Sequence, residues 1–235
     1  MKAFLYGVGL QFKMDIRSRT MLVTCYLVPL VFFFFMSGIF ISVDPTATET
    51  LIPSMSVFVV TMSALIGVPP SLGEVYGGEV KKVYRANGVP LYLGVITQFL
   101  SSFVHTLIAC LIVFAAAPLA FGAELPENVP LYFCALAALL CVTLAVGCLL
   151  GLSIKTQAKQ TIAAMIVFLP SVMLSGIMFP AEMLPDFMQY LACVFPATTG
   201  FRAMTDFQAW QLPVLAAEFL MAAGAAAVML KIRAE

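Results

Sequence analysis

Charge is what this sequence has least of. Asp, Glu, Lys and Arg make up 10% of it, where soluble domains carry about 25%. Apolar residues reach 62%, against roughly 45–50% in soluble domains. The gap excludes an ordinary soluble domain and leaves a polytopic membrane protein. The formal net charge is zero, so bulk charge names no partner, and a nucleic acid is not expected as one.

Other absences narrow the chemistry. There is no GxxxxGK[ST]; the Lys155-Thr156 pair follows Ile154 with no glycine-rich loop to cradle phosphates. HExxH, GxSxG and paired intramembrane aspartates are also missing. His105 is the only histidine, so a His-rich metal site cannot be built, and no metal ligand is expected. None of the six cysteines forms a CxxC. Cys25, Cys110, Cys134, Cys141 and Cys148 lie in apolar runs and Cys193 stands apart, which fits packing residues. These gaps disfavour a membrane enzyme, and no repeated filter points to a channel. Short alternating segments are lacking too, which excludes a β-barrel. Neither an inverted repeat nor a separate soluble domain is visible. Residues 1–10 are not expected to be a cleaved leader, because the first long apolar run starts only near Met21, after four basic residues.

What the sequence does contain is apolar runs of about 20 residues, enough for roughly 30 Å of hydrocarbon. Helices satisfy their own backbone in lipid, so the fold class is all-α. Six spans are expected: Met21–Val43, Leu51–Leu72, a third from just after Pro90 to about Ala117, Leu131–Ile154, Thr161–Phe179 and Leu212–Leu230. Pro69 and Pro70 should bend or end the second span. Residues 1–20 place Phe4, Leu5, Val8, Phe12 and Ile16 on one helical face, away from Lys2, Lys13 and Arg17. That is either an interfacial helix or an extension of the first span with a basic flank.

Basic residues then set the sidedness. With the N-terminus inside, the inner segments hold eleven of the twelve, and Arg202 alone is outside. Outer acids are Asp44, Glu49, Glu124, Glu127, Glu182, Asp186 and Asp206. Both termini are therefore expected in the cytoplasm, together with the charged loop at residues 73–90.

Small residues mark close helix contacts in lipid. The fourth span carries Cys134, Ala138, Cys141, Ala145 and Cys148 as a seam, plus a Gly147/Gly151 GxxxG. In the third span Gln98, Ser101 and His105 share one face, with His105 expected near mid-membrane. That stripe either lines a substrate path or bonds to a neighbouring helix. Glu218 lies about 9 Å inside the sixth span. It is either a cation- or proton-linked site, with Arg202 a possible partner, or a neutral hydrogen-bonded acid.

Two stretches carry a family resemblance. GGEVKKVYRANGVPLYLGVITQF (residues 77–99) and SGIMFPAEMLPDFMQYLACVFPATTGFRAM (residues 175–204) resemble type 2 ATP-binding-cassette (ABC) exporter permeases. The first is similar to that family's loop between the second and third spans. The second is similar to its signature through Gly176, Phe179, Pro180, Leu184, Pro185 and Pro196. The resemblance implies one transmembrane domain over residues 1–235 in a bacterial cytoplasmic membrane. It implies a homodimer or a paralogous permease pair, and a separate cytoplasmic ATPase that holds ATP and Mg. Glu79, Val80, Lys81, Lys82, Val83, Tyr84 and Arg85 would form the coupling helix that meets the ATPase. Residues 180–211, with Arg202, would form a re-entrant helical hairpin at the outer face. The implied activity is export of a hydrophobic or amphipathic substrate (drug, lipid, peptide or glycan-lipid) between two protomers, along the first, second and fifth spans. The residue-level alternatives are a proton-coupled transporter using Glu218 and His105, and a membrane enzyme or assembly factor.

Overall fold

Residues 2–77, 79–179 and 183–234 are described by a computed structural model of the chain. Every repetitive element among them is helical. α1 (Lys2–Arg17) is followed by α2 (Arg19–Val43), α3 (Leu51–Tyr76), the short α4 (Glu79–Ala86), α5 (Tyr92–Phe121), α6 (Val129–Ser153) and α7 (Gln157–Leu174). Two short helices, α8 (Asp186–Ala192) and α9 (Pro196–Thr205), lead into α10 (Gln211–Ala234). Among the described residues, six helices are long and apolar enough to cross a membrane: α2, α3, α5, α6, α7 and α10.

Local chemistry sets the helix ends. Ser18 is extended, and Met21 N donates to its Oγ at 3.4 Å, so the chain stops and restarts there. α1 is thus a separate helix and not a straight extension of the first span. Asn128 caps α6 by accepting from Leu131 N at 3.1 Å. Gly122, at φ +64, turns the chain out of α5 while Ala123 N reaches back to Ala117 O.

Three expected boundaries move. Pro69 and Pro70 do not end the second span. A π-helical stretch, Ser63–Gly67, lies immediately before them, and the helix continues to Tyr76. The two prolines offer no N–H, and the wider turn lets the chain pass them. The first span has the same arrangement: π-helical Val23–Leu27 precedes Pro29, and Val28 N donates to Val23 O. The fifth span ends at Leu174 and not Phe179, because residues 175–179 bend, with Gly176 at φ +93. The third runs on to Phe121.

α3 is the centre of the bundle. Every residue from Leu51 to Thr61 is buried, and α2, α5, α6, α7 and α9 pack around it. The Gly147/Gly151 face of α6 meets α3 directly. A Cβ on Gly147 would fall 2.2 Å from the Ala64 carbonyl oxygen, and one on Gly151 would fall 3.0 Å from Leu72 Cβ. Lipid supplies little hydrophobic drive between helices, so this close approach of backbones is what holds the pair. The Cys134–Cys148 seam does not act as one contact. Cys134 is exposed, Ala138 and Cys141 are half-buried, and only Ala145 and Cys148 are buried.

Candidate functional site

α4 is an eight-residue helix set between the second and third membrane helices. Lys82, Val83 and Arg85 are exposed, while Tyr84 is half-buried. Tyr84 reaches the start of α5, where a Cβ on Gly94 would lie 3.3 Å from its ring. The Tyr76 hydroxyl at the end of α3 donates to Leu91 O. Val89 N donates to Tyr84 O at 2.9 Å, closing the turn after α4. So Tyr84 fastens α4 to α5, and Tyr76 ties the end of α3 to the residue just before α5. The side chains of Glu79, Val80 and Lys81 lie outside the described residues.

The second feature is a buried polar cluster between α1 and α5. Ser101 Oγ donates to Asp15 Oδ2 at 2.5 Å, and Gln98 Nε2 donates to the same oxygen at 3.4 Å. Gln11 Nε2 donates to Asp15 Oδ1 at 3.0 Å and to Gln98 Oε1 at 2.8 Å. Gln98 Nε2 also donates to Ser102 Oγ at 3.1 Å. Asp15 is only 4% exposed. Burial pushes its carboxyl above the usual range, and the bonds from Ser101, Gln11 and Gln98 work against that shift. His105 continues the cluster. Its ring stacks on Phe12 with centroids 4.3 Å apart, and its Nδ1 shares a 2.7 Å hydrogen bond with the Tyr26 hydroxyl of α2. Its Nε2 is buried without a hydrogen-bond partner.

The structure therefore brings Gln98, Ser101 and His105 together, against neighbouring helices of the same chain. Glu218 is elsewhere. It shares with Gln211, Leu215, Ala222 and Ala226 the stripe of α10 that packs on α6. Its Oε2 is buried with no hydrogen-bond partner, so Arg202 does not bond to that oxygen.

The α8–α9 pair divides into two unlike halves. α8 leaves Phe187 and Tyr190 largely exposed. α9 is mostly buried, from Ala197 to Gly200 and again at Ala203 and Met204. A Cβ on Gly200 would fall 2.7 Å from Leu139, which lies ten residues, about 15 Å, along α6 from Val129. Thr198 Oγ1 donates to Ala192 O at 2.7 Å and links the two short helices. Phe179, Leu184 and Pro185 belong to the segment before α8, and Arg202 is half-buried in α9, which Pro196 opens. Pro180 lies outside the described residues.

Between the first, second and fifth spans, Phe58 of α3 stacks on Phe32 of α2 at 3.7 Å and meets Phe168 of α7 edge-on at 5.9 Å. α2 and α7 expose apolar side chains on either side of this trio, such as Phe35, Ile162 and Ile166. α3 itself is enclosed and offers little surface.

Sequence reading missed Asp15, Gln11 and Tyr26. The available signal was a lone acid in a basic helix, set beside a polar stripe on α5 that had to find donors and acceptors somewhere. In comparison with known proteins, residues 4–208 match the family described as ABC-2 type transporter. No curated protein matches the chain.

Proposed function

Since the chain belongs to the ABC-2 type transporter family, we propose that it is the transmembrane permease subunit of an ATP-driven exporter. It moves a hydrophobic or amphipathic substrate out across a bacterial cytoplasmic membrane, with both of its own termini on the cytoplasmic side. A separate ATPase subunit binds ATP and Mg. Two permease chains, identical or paralogous, form the pathway, each acting as a single transmembrane domain.

The observation that carries this reading is α4. It is short and strongly two-faced, with Lys82, Val83 and Arg85 outward and Tyr84 inward against Gly94. An outward face of that kind suits docking in an ATPase groove. The inward face passes a push to α5 through Tyr84, and the Tyr76–Leu91 bond carries it to α3. The α2–α3–α7 aromatic trio and the exposed apolar faces beside it suit an apolar cargo moving between protomers. The α8–α9 pair then acts as a re-entrant cap on the outer side.

The test is co-purification. The chain is expected to bring an ATPase with it from its own host, and Val83→Asp is expected to release that subunit while the permease stays folded. Cargo movement by the purified chain alone in vesicles would overturn the reading.

A second reading has one observation in its favour, the partnerless buried Oε2 of Glu218. In it the chain works alone and Glu218 carries a proton. Glu218→Gln is then expected to abolish transport driven by a proton gradient. Under the exporter reading it alters transport and leaves ATPase association intact.

A further inference from the structure

α5 and α10 both pack on α6, but they scarcely touch each other. Between them, in the half of the bundle nearer α4, runs a groove of about 340 Å³. Ala145 and Cys148 of α6 form its floor, with Ile96 and Leu230 among its walls. One end is closed where the rings of Phe99 and Phe219 approach to 6.3 Å. From Phe219 to Leu230 the wall is about 16 Å long, roughly half of a 30 Å hydrocarbon layer and so about one leaflet.

Its lining is almost wholly apolar and its length is about that of one leaflet, which suits a single hydrocarbon chain lying along α6.

The open end selects the head. The α10 stripe through Phe219, Ala223, Ala226 and Leu230 continues at Arg233, three residues on. Arg233 Nη2 donates to Ile154 O at 2.7 Å, which holds its charge over the mouth of the groove beside Lys155. Lys231 is exposed two residues earlier, and Tyr92, 55% exposed, stands on the opposite wall. No carboxylate lines the groove among the described residues.

We propose that this groove is a binding site for an anionic membrane phospholipid. One acyl chain lies along Ala145 and Cys148, and the phosphate head sits at Arg233, Lys231 and Tyr92. Arg233 supplies planar N–H donors suited to phosphate oxygens, and Lys231 supplies further positive charge. The site is independent of any ATPase and lies on a different face from the α2–α3–α7 aromatic trio.

Native mass spectrometry of the full chain tests it, with dioleoyl phosphatidylglycerol and dioleoyl phosphatidylcholine as competing probes. The phosphatidylglycerol is expected to be retained about tenfold more tightly, as one to two cations near a head group imply. Arg233→Lys should keep most of that preference, and Lys231→Ala should reduce it. Ala223→Phe, which fills the groove without touching the cations, should weaken retention of both lipids. Equal retention of the two lipids by the wild type would overturn the proposal. So would phosphatidylglycerol retention that Ala223→Phe leaves unchanged. A shift from dimer to monomer with Ala223→Phe, lipid retention being unaltered, would assign the groove to a second copy instead.

Discussion

Ser101 Oγ donates to Asp15 Oδ2 across 2.5 Å, joining residues 86 positions apart and tying the N-terminal helix to the third membrane helix. Both side chains are buried. Ser101→Ala removes a donor from a buried carboxylate and is expected to cost about 1–3 kcal/mol. Asp15→Ala should cost a similar amount. The double mutant should cost less than the sum, with a coupling of roughly 0.5–3 kcal/mol. Unfolding of the four proteins in mixed micelles measures the cycle, and simple additivity would mean the two side chains do not act together.

Asp15 also gives a pH dependence. Its folded carboxyl titrates above the usual 3.8, chiefly through burial, so the folded state holds a proton that the unfolded state has already lost. The stability from neutral Asp15 is full below that usual value and is lost as pH rises through the folded one. His105 and Cys25 are the titratable groups that feel its charge, with Gln11 and Gln98 its amide partners. Amide exchange in α1, corrected for intrinsic rates, should therefore speed up as pH rises across that window. Asp15→Asn should flatten the response.

Two glycines should answer oppositely to alanine. Gly147→Ala drives a methyl into the Ala64 carbonyl, and overpacking of that kind costs about 1–3 kcal/mol. Gly224→Ala meets nothing within 4 Å and should stabilise α10 by roughly 0.5–1 kcal/mol. Thermal unfolding in detergent distinguishes them.

The two faces of α4 should separate binding from transmission. Val83 is 55% exposed, whereas Tyr84 lies against Gly94. Tyr84→Ala is expected to keep the ATPase subunit attached while transport per ATP hydrolysed falls several-fold. Equal loss of ATPase attachment in Tyr84→Ala and Val83→Asp would remove the distinction.

The six membrane helices were legible because an apolar run of bilayer length is a local signal, and so was the Gly147/Gly151 contact, four residues apart on one helix. Asp15 was not legible. Its partners Gln98 and Ser101 lie more than eighty residues away, and no spacing rule connects an acid in α1 with hydroxyls in α5. The polar stripe on α5 announced that partners were needed without saying which. Pro69 and Pro70 do not end the second span, since a missing N–H ends a helix only where the backbone cannot widen to accommodate it. At residues 175–179 a glycine at positive φ, with no proline among them, bends the chain early.

The two widened turns face each other: the Cβ position of Gly67 lies 3.1 Å from Thr24 Oγ1 and 3.5 Å from Cys25 Sγ. Each such turn accommodates one residue more than its neighbours, and one residue is about 100° of rotation. A helical wheel drawn straight through residues 51–76 would therefore assign half of them to the wrong side. Deleting a single residue from Ser63–Gly67 would remove the extra residue and leave a regular helix whose two ends still face their present neighbours, but without the wider turn that precedes the two prolines.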